Sequence, residues 1–349
     1  MDSITQITLG AAVAEATLGR KLGNRALIVG GALGSLPDLD VLVSFGNAVA
    51  DFTYHRSFSH SFVVLTLIAP LLAWLGWRFM GRASMTRWFW GVFLVLNTHV
   101  LLDCFTVYGT QALWPLSDYP IAWATIFIID PAYTLPLVAG LALTLWSRRV
   151  GKYRRANTLG LALSTTYLAW TVVAHHHAHE VARKSLDESS YSYHSLITVP
   201  VPFSLLWRSV ARGDNDYAEG YYSLLDSAPE PGQPAMKFDI YPSGEALYTK
   251  LVSHWSVQRL AWFTKGFYTL QNQSGDIVMS DLRMGVEASY VFNFLVAKET
   301  GGVIKPVKSE LRRFAPDTAR IGAIFRRILD PDISLAPRSK PDNKNISNE

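Results

Sequence analysis

The chain has 349 residues, 49% of them hydrophobic and only 17% charged, with a net charge of +4 and a mean hydropathy of +0.15. Soluble domains carry roughly 25% charged residues, so part of this chain is expected in lipid. Its Lys and Arg sit in short clusters between apolar stretches, which fits topology signals and argues against a nucleic-acid surface. The single cysteine, Cys104, excludes an internal disulfide and a cysteine-rich zinc site.

The opening Met1-Asp2-Ser3-Ile4-Thr5-Gln6 lacks the basic region of a cleavable signal peptide, so the first segment is expected to stay attached. Residues 4–18 and 26–36 are short and rich in Gly and Ala, which predicts close-packed or partly inserted helices. Residues 61–80 approach the roughly 20 that a spanning helix needs. Residues 88–102 are apolar but carry Asn97 and His99, with Asp103 following. Residues 121–146, interrupted by Asp130-Pro131 and Pro136, and residues 158–174, ending in His175 to His179, complete a set of about four to six membrane helices.

Arg20, Lys21 and Arg25 separate the first pair of segments, Arg78, Arg82 and Arg87 the next, and Arg148, Arg149, Lys152, Arg154 and Arg155 the last. Excess positive charge marks cytoplasmic loops. Residues 37–60 and 109–120 then face outward, and the part beyond His179 faces the periplasm of a bacterial inner membrane. Trp74, Trp77, Trp88, Trp90, Trp114 and Trp123 read as an interfacial aromatic belt.

From about Ser185 the chain reads as soluble. Residues 203–212 look like a short helix. Strands are expected at 238–241, 246–252, 266–271, 277–284 and 290–297, with a hairpin turn at Gln273-Ser274-Gly275-Asp276. The expected organisation is an α-helical polytopic membrane domain carrying a metal site (1–180), a small α+β, mainly antiparallel-sheet soluble domain (181–330), and a disordered tail (331–349).

Three elements carry chemistry. Asp38 and Asp40 in Pro37-Asp38-Leu39-Asp40 follow an apolar segment, and alone they read as a cap or turn. His55-Arg56-Ser57-Phe58-Ser59-His60 leads into the best spanning helix; imidazole is the commonest metal ligand, and Arg suits forked contact with an anion. His99 and Asp103, four apart, share one helical face, and ionisable groups within an apolar span usually mark a functional site. With the orientation above, these residues, Asp2 and Asp130 all fall at the external face. A mixed His and carboxylate set suits Zn²⁺ or another divalent ion with a position left for water. Asp38, Asp40, His55, His60, His99 and Asp103 form the ligand pool. Arg56 is expected to stabilise an anionic oxygen, and Asp2 or Asp130 to transfer a proton or add a ligand. The His175 to His179 cluster reads as a solvated helix end, and Ser280-Asp281-Leu282-Arg283 as a charged strand end.

Pro-Asp-Leu-Asp, His-Arg-Ser-Phe-Ser-His-Ser and the His99/Asp103 pair, in this order over about residues 1–175, resemble the YdjM-type inner-membrane proteins, a group also linked to LexA regulation. The branch with Asp2, the run Asp103-Cys104-Phe105-Thr106-Val107-Tyr108-Gly109-Thr110, Asp130-Pro131 and a soluble C-terminal half is similar along most of the chain. The resemblance implies a membrane-embedded metal-dependent hydrolase. Zinc phospholipase C proteins, which also use His and Asp ligands on helices, are similar by analogy alone. The expected function is hydrolysis of an ester or phosphoester in a lipid or lipid-linked substrate by a metal-activated water. Two other classes compete with it. An ion- or proton-handling transporter should carry polar groups through the membrane depth or show inverted repeats. A non-catalytic membrane anchor or regulator leaves the one-sided cluster unexplained.

Overall fold

The computed structural model describes residues 1–149, 155–229, 233–313 and 318–336. Asp2 caps the first helix, α1 (Ser3–Leu22), by accepting from the Thr5 N–H. α2 (Arg25–Ser35) returns against it at very short range. A Cβ on Gly10 would lie 2.3 Å from the Gly30 carbonyl oxygen, so this contact tolerates only glycine. A 3₁₀ turn (Pro37–Leu42), the short α3 (Ala48–Tyr54) and a second 3₁₀ turn (Phe58–His60) lead to α4 (Phe62–Met80), capped by Ser61. α5 (Met85–Cys104) packs beside α4 and α1 around Leu18, Ala73, Trp88 and Leu96. α6 (Pro131–Arg149) and α7 (Arg155–Ser189) meet through Gly140 and Gly160.

Among the described residues only α4 is long and apolar enough to cross a membrane by length and composition alone. α1, α5 and α7 are at least as long, but their sequences spend positions on buried polar groups such as Gln6, Glu15, His99 and Asn157. The apolar stretch expected from Ile121 becomes helical only at Pro131. Residues before it are tied back to the end of α5 by Trp123 N–H to Cys104 O and Thr125 N–H to Phe105 O. Lys152 and Arg154 lie outside the described residues.

At 35 residues, α7 is about 50 Å long, well beyond the roughly 30 Å of a hydrocarbon core. Its far end lays Ala174, Ala178 and Leu186, at four-residue multiples, on a sheet that supplies Trp207, Ala211 and Ala218. The domain boundary expected near 180 therefore falls inside one unbroken helix. That sheet is an antiparallel meander of β1 (Ser195–Pro200), β2 (Leu206–Arg212), β3 (Asp216–Ser223) and β4 (Phe238–Pro242). Next come α8 (Glu245–Leu251) and α9 (Trp255–Phe263). The following strands are β5 (Tyr268–Gln273), β6 (Asp276–Asp281), the small pair β7 (Gly285–Val286) and β8 (Ser289–Tyr290), β9 (Asn293–Thr300) and β10 (Val303–Arg312). The second sheet has the order β10-β9-β6-β5, and α10 (Thr318–Arg327) follows it.

Residues 203–212 do not form the expected helix: a 3₁₀ turn (Pro202–Ser204) leads into β2 from Leu206. Leu206 and Val210 are spaced as on a helix, but β2 is a central strand paired on both sides and buried along its whole length, so tertiary pairing decides. Residues 246–252 were expected as a strand and instead form α8, which sets Leu247 and Leu251 on the core at helical spacing. The tail expected from 331 packs in part, since Leu335 is buried beside Val201 and Leu206; residues 337–349 lie outside the described residues. Val49, Phe52 and Tyr108 of the N-terminal half share one core with Leu260, Phe263, Leu270 and Phe294, so the sheet domain is seated on α3 and the loop after α5.

Candidate metal centre

Three separate segments converge beside the start of α1. The Pro37–Leu42 turn brings Asp38, the turn before α4 brings His60, and the last turns of α5 bring His99 and Asp103 on one face. His60 Nε2 lies 3.2 Å from His99 Nε2 and 3.3 Å from both Asp38 Oδ1 and Asp103 Oδ2. His99 Nε2 is 3.6 Å from each of the same two oxygens. One ligand atom from each of the four residues fits within 4.8 Å of the others.

The protons around this group are placed by its neighbours. His99 Nδ1 is 2.7 Å from the Gly34 carbonyl, which only accepts, so Nδ1 carries the hydrogen and Nε2 keeps its lone pair. Ser59 Oγ donates to Asp40 Oδ2 at 2.5 Å, which leaves its oxygen to accept from His60 Nδ1 at 3.0 Å. His60 Nε2 is then also a lone pair. Two nitrogen lone pairs and two carboxylate oxygens face one another, and Asp103 Oδ2 is buried without any hydrogen-bond partner. Such an arrangement is repulsive until a cation or proton enters it. The same field acts on His60: burial opposes its charge, but the carboxylates of Asp103, Asp38 and Asp40 close around the ring outweigh burial, favour a second proton on it and raise its pKa to about 9. Asp38 and Asp40 are held below the ordinary carboxylate range despite burial, by His60 and His99 for Asp38 and by His55 and His60 for Asp40.

The other residues expected in the site take different places. Asp40 is buried beside the group, and its oxygens accept from His55 Nδ1 (2.7 Å), the Arg56 N–H (3.0 Å) and Ser59. His55 leans on Asp40 and on the Tyr108 ring. Arg56 has φ +62, a conformation costly for a side-chain-bearing residue. Its backbone is fixed at both ends, by Asp40 and by the Gln111 N–H. Its guanidinium donates to Thr106 Oγ1 (3.2 Å), stacks on Tyr108, and holds Nε 3.4 Å from Asp103 Oδ2 with no hydrogen-bond partner.

Asp2 is occupied by Thr5, and Asp130 accepts from Ala132 N–H, Tyr167 and Ser204; neither is among the four converging ligand residues. Gln6, which sequence reasoning passed over, donates to Asp103 Oδ1 at 2.9 Å, as does the Met1 amino group. Its only sequence signal is a polar residue one turn before Gly10 on a helix otherwise packed through small residues.

A buried acid outside the expected set, Glu15, lies nine positions beyond Gln6 on α1 and is clasped by Arg148 at 2.6 Å. Within the His175 to His179 cluster, His176 and His177 are exposed, whereas His175 and His179 are half-buried and hydrogen-bond Thr198 of β1. Asp281 ends β6, as expected of a charged strand end, and forms with Arg283 a fully buried pair at 2.7 Å, with Arg283 over the Phe263 ring.

The family described as YdjM inner membrane protein matches residues 1–178, a segment that contains every residue of the centre. The chain is 38% identical over 120 residues to inner membrane protein YbcI of Escherichia coli (strain K12), covering 32% of this chain and 69% of that one. It is 28% identical over 151 residues to uncharacterized protein YfhP of Bacillus subtilis (strain 168), covering 41% of this chain and 46%, about half, of that one. No solved structure matches. The chain belongs to the YdjM inner membrane protein family.

Proposed function

We propose that this protein is a membrane-bound, metal-dependent hydrolase that cleaves an ester or phosphoester of a lipid or lipid-linked substrate. The observation that carries the reading is the meeting of two imidazole lone pairs and two carboxylate oxygens, one of them buried without a partner, at distances that suit a single cation once it draws them in. Asp38, His60, His99 and Asp103 would hold the ion, and zinc is the best fit to a nitrogen and oxygen donor set of this size. Bound there, a divalent ion supplies Lewis-acid activation of water and of the scissile group's oxygen.

The chain's own residues do the rest. Gly34 O and Ser59 fix the two imidazole orientations, and Asp40 anchors Ser59, His55 and the Arg56 backbone. Gln6 holds the outer oxygen of Asp103. Arg56, with an unused Nε–H beside the centre, stabilises negative charge that develops on the substrate. We read α1, α4, α5, α6 and α7 as membrane helices and the short α2 as the return that brings the chain back to the outer face, with the basic loops inside, which would put the centre and the sheet domain on the periplasmic side. The clustering of Arg148 with Glu15, Gly19 and Asn24 supports one cytoplasmic end for these helices.

The test is elemental analysis of the purified protein beside an ester and phosphoester hydrolysis screen. About one divalent ion per chain is expected, lost in His99→Ala and Asp103→Asn together with hydrolysis. Arg56→Ala should keep the ion and lose roughly 100- to 1000-fold in turnover. Unchanged metal content in the two ligand variants would remove the basis of the assignment.

A further inference from the structure

The turn that carries Asp38 and Asp40 has a second face. A 3₁₀ helix has three residues per turn, so positions i and i+3 eclipse. Pro37 and Asp40 are buried, whereas Leu39 and Leu42 stand out at 53% and 80% exposure, with Val41 at 72% between them. The exposed line begins earlier: Ile28, Ala32 and Leu36, four apart, run along the outer side of α2 and lead directly into Leu39 and Leu42. Between Arg25 and Leu42 the only charged residues are Asp38 and Asp40, and both contribute to the centre instead.

The centre is closed elsewhere. On the side of His55 and Arg56, Tyr108 and Phe52 are roofed by Phe263 and Phe292 of the sheet domain. Of the four converging side chains, those of His60, His99 and Asp103 are 0–1% exposed and only Asp38 reaches the surface, at 20%. By the three-residue period Asp38 shares its face with Val41, which is 72% exposed.

We propose that the Pro37–Leu42 turn is set into the outer leaflet, with Leu39, Val41 and Leu42 among the acyl chains, so that the centre opens sideways into the bilayer. The occupant of this surface is lipid, because the line is continuous with the unpartnered side of α2 in a chain of an inner-membrane family. A lipid then reaches Asp38 by diffusion within the leaflet, headgroup first toward the buried polar group. That last step rests on the hydrolase reading; the placement of the turn does not.

Nitroxide labels on Leu39→Cys, Val41→Cys and Leu42→Cys test the placement in vesicles of phosphatidylethanolamine and phosphatidylglycerol. The native Cys104 is buried, so labelling falls on the introduced thiol. Collision with oxygen, which concentrates in lipid, is compared with collision with a water-soluble nickel chelate, using Lys298→Cys as the aqueous control. The expected oxygen-to-nickel ratio at 39, 41 and 42 is several-fold above that control. A ratio equal to the control overturns the proposal, and so does shielding from both reagents, which would mean that a second copy or another protein covers the turn. The measurement needs neither metal nor turnover, so its failure is distinct from failure of the hydrolase reading.

Discussion

Three of the four lone-pair sites of Asp40 already hold proton donors, His55 on one oxygen and the Arg56 N–H with Ser59 on the other, so little is left to share with an ion. Asp38, two residues earlier, has no comparable set of donors and faces His60 and His99. A spacing of two in the sequence does not separate these roles; the 3₁₀ turn does, by sending the two carboxylates in different directions. We expect Asp40→Ala to weaken metal binding by about 10- to 100-fold without abolishing it, as loss of an orienting group does. Chelator competition measures this, and complete loss of metal would make Asp40 a ligand. Gln6 was illegible for a related reason, since a search for ionisable groups passes over an amide that works only by donating to one. In the sheet domain, burial disfavours the charge on Glu219, but Arg208 at 2.5 Å and Tyr221 outweigh it and hold the carboxyl below its usual value. A depressed carboxyl stabilises the fold above its unfolded pKa, near 4.3, and that stability is lost as pH falls further toward the folded value. Thermal unfolding of the purified protein should therefore fall more steeply below about pH 4 in the wild type than in Glu219→Gln.

Helices were legible where an apolar run and its caps agree. Ser61 ahead of residues 62–80 and Asp2 ahead of α1 mark both starts, and the His99/Asp103 pair showed its shared face by spacing alone. Elements whose identity depends on neighbours were not legible: β2 is a strand because β1 and β3 flank it, and α8 is a helix because two leucines find one core. The α1 and α2 pair shows what an element-level contact contributes to the centre. A Cβ on Gly34 would sit 2.6 Å from the Gln6 carbonyl, and the Gly34 carbonyl is the partner of His99 Nδ1. Gly34→Ala should push the helices apart at a cost of about 1–3 kcal/mol. We expect a lower melting temperature together with weaker metal binding; a lower melting temperature with unaltered metal affinity would separate helix packing from the orientation of His99.

The two halves of the molecule share a core instead of meeting at a polar seam. Phe263 touches Phe52 and Tyr108, carries Arg283 on its face and is fully buried. Phe263→Ala should cost about 3–5 kcal/mol and raise amide hydrogen exchange in residues 48–54 as well as in the sheet domain. Exchange confined to the sheet domain would mean that the halves are energetically independent. This union was not legible because aromatic residues more than 150 positions apart carry no local signal of their pairing. The unbroken course of α7 has a mechanical consequence. The same rigid rod passes from the bundle into the first sheet, so the orientation of the sheet is keyed to the helix by about 100° of rotation per residue. Inserting one residue near Ala174 would turn the first sheet relative to the helical half, and with it the cover that Phe263 and Phe292 give to the candidate metal centre.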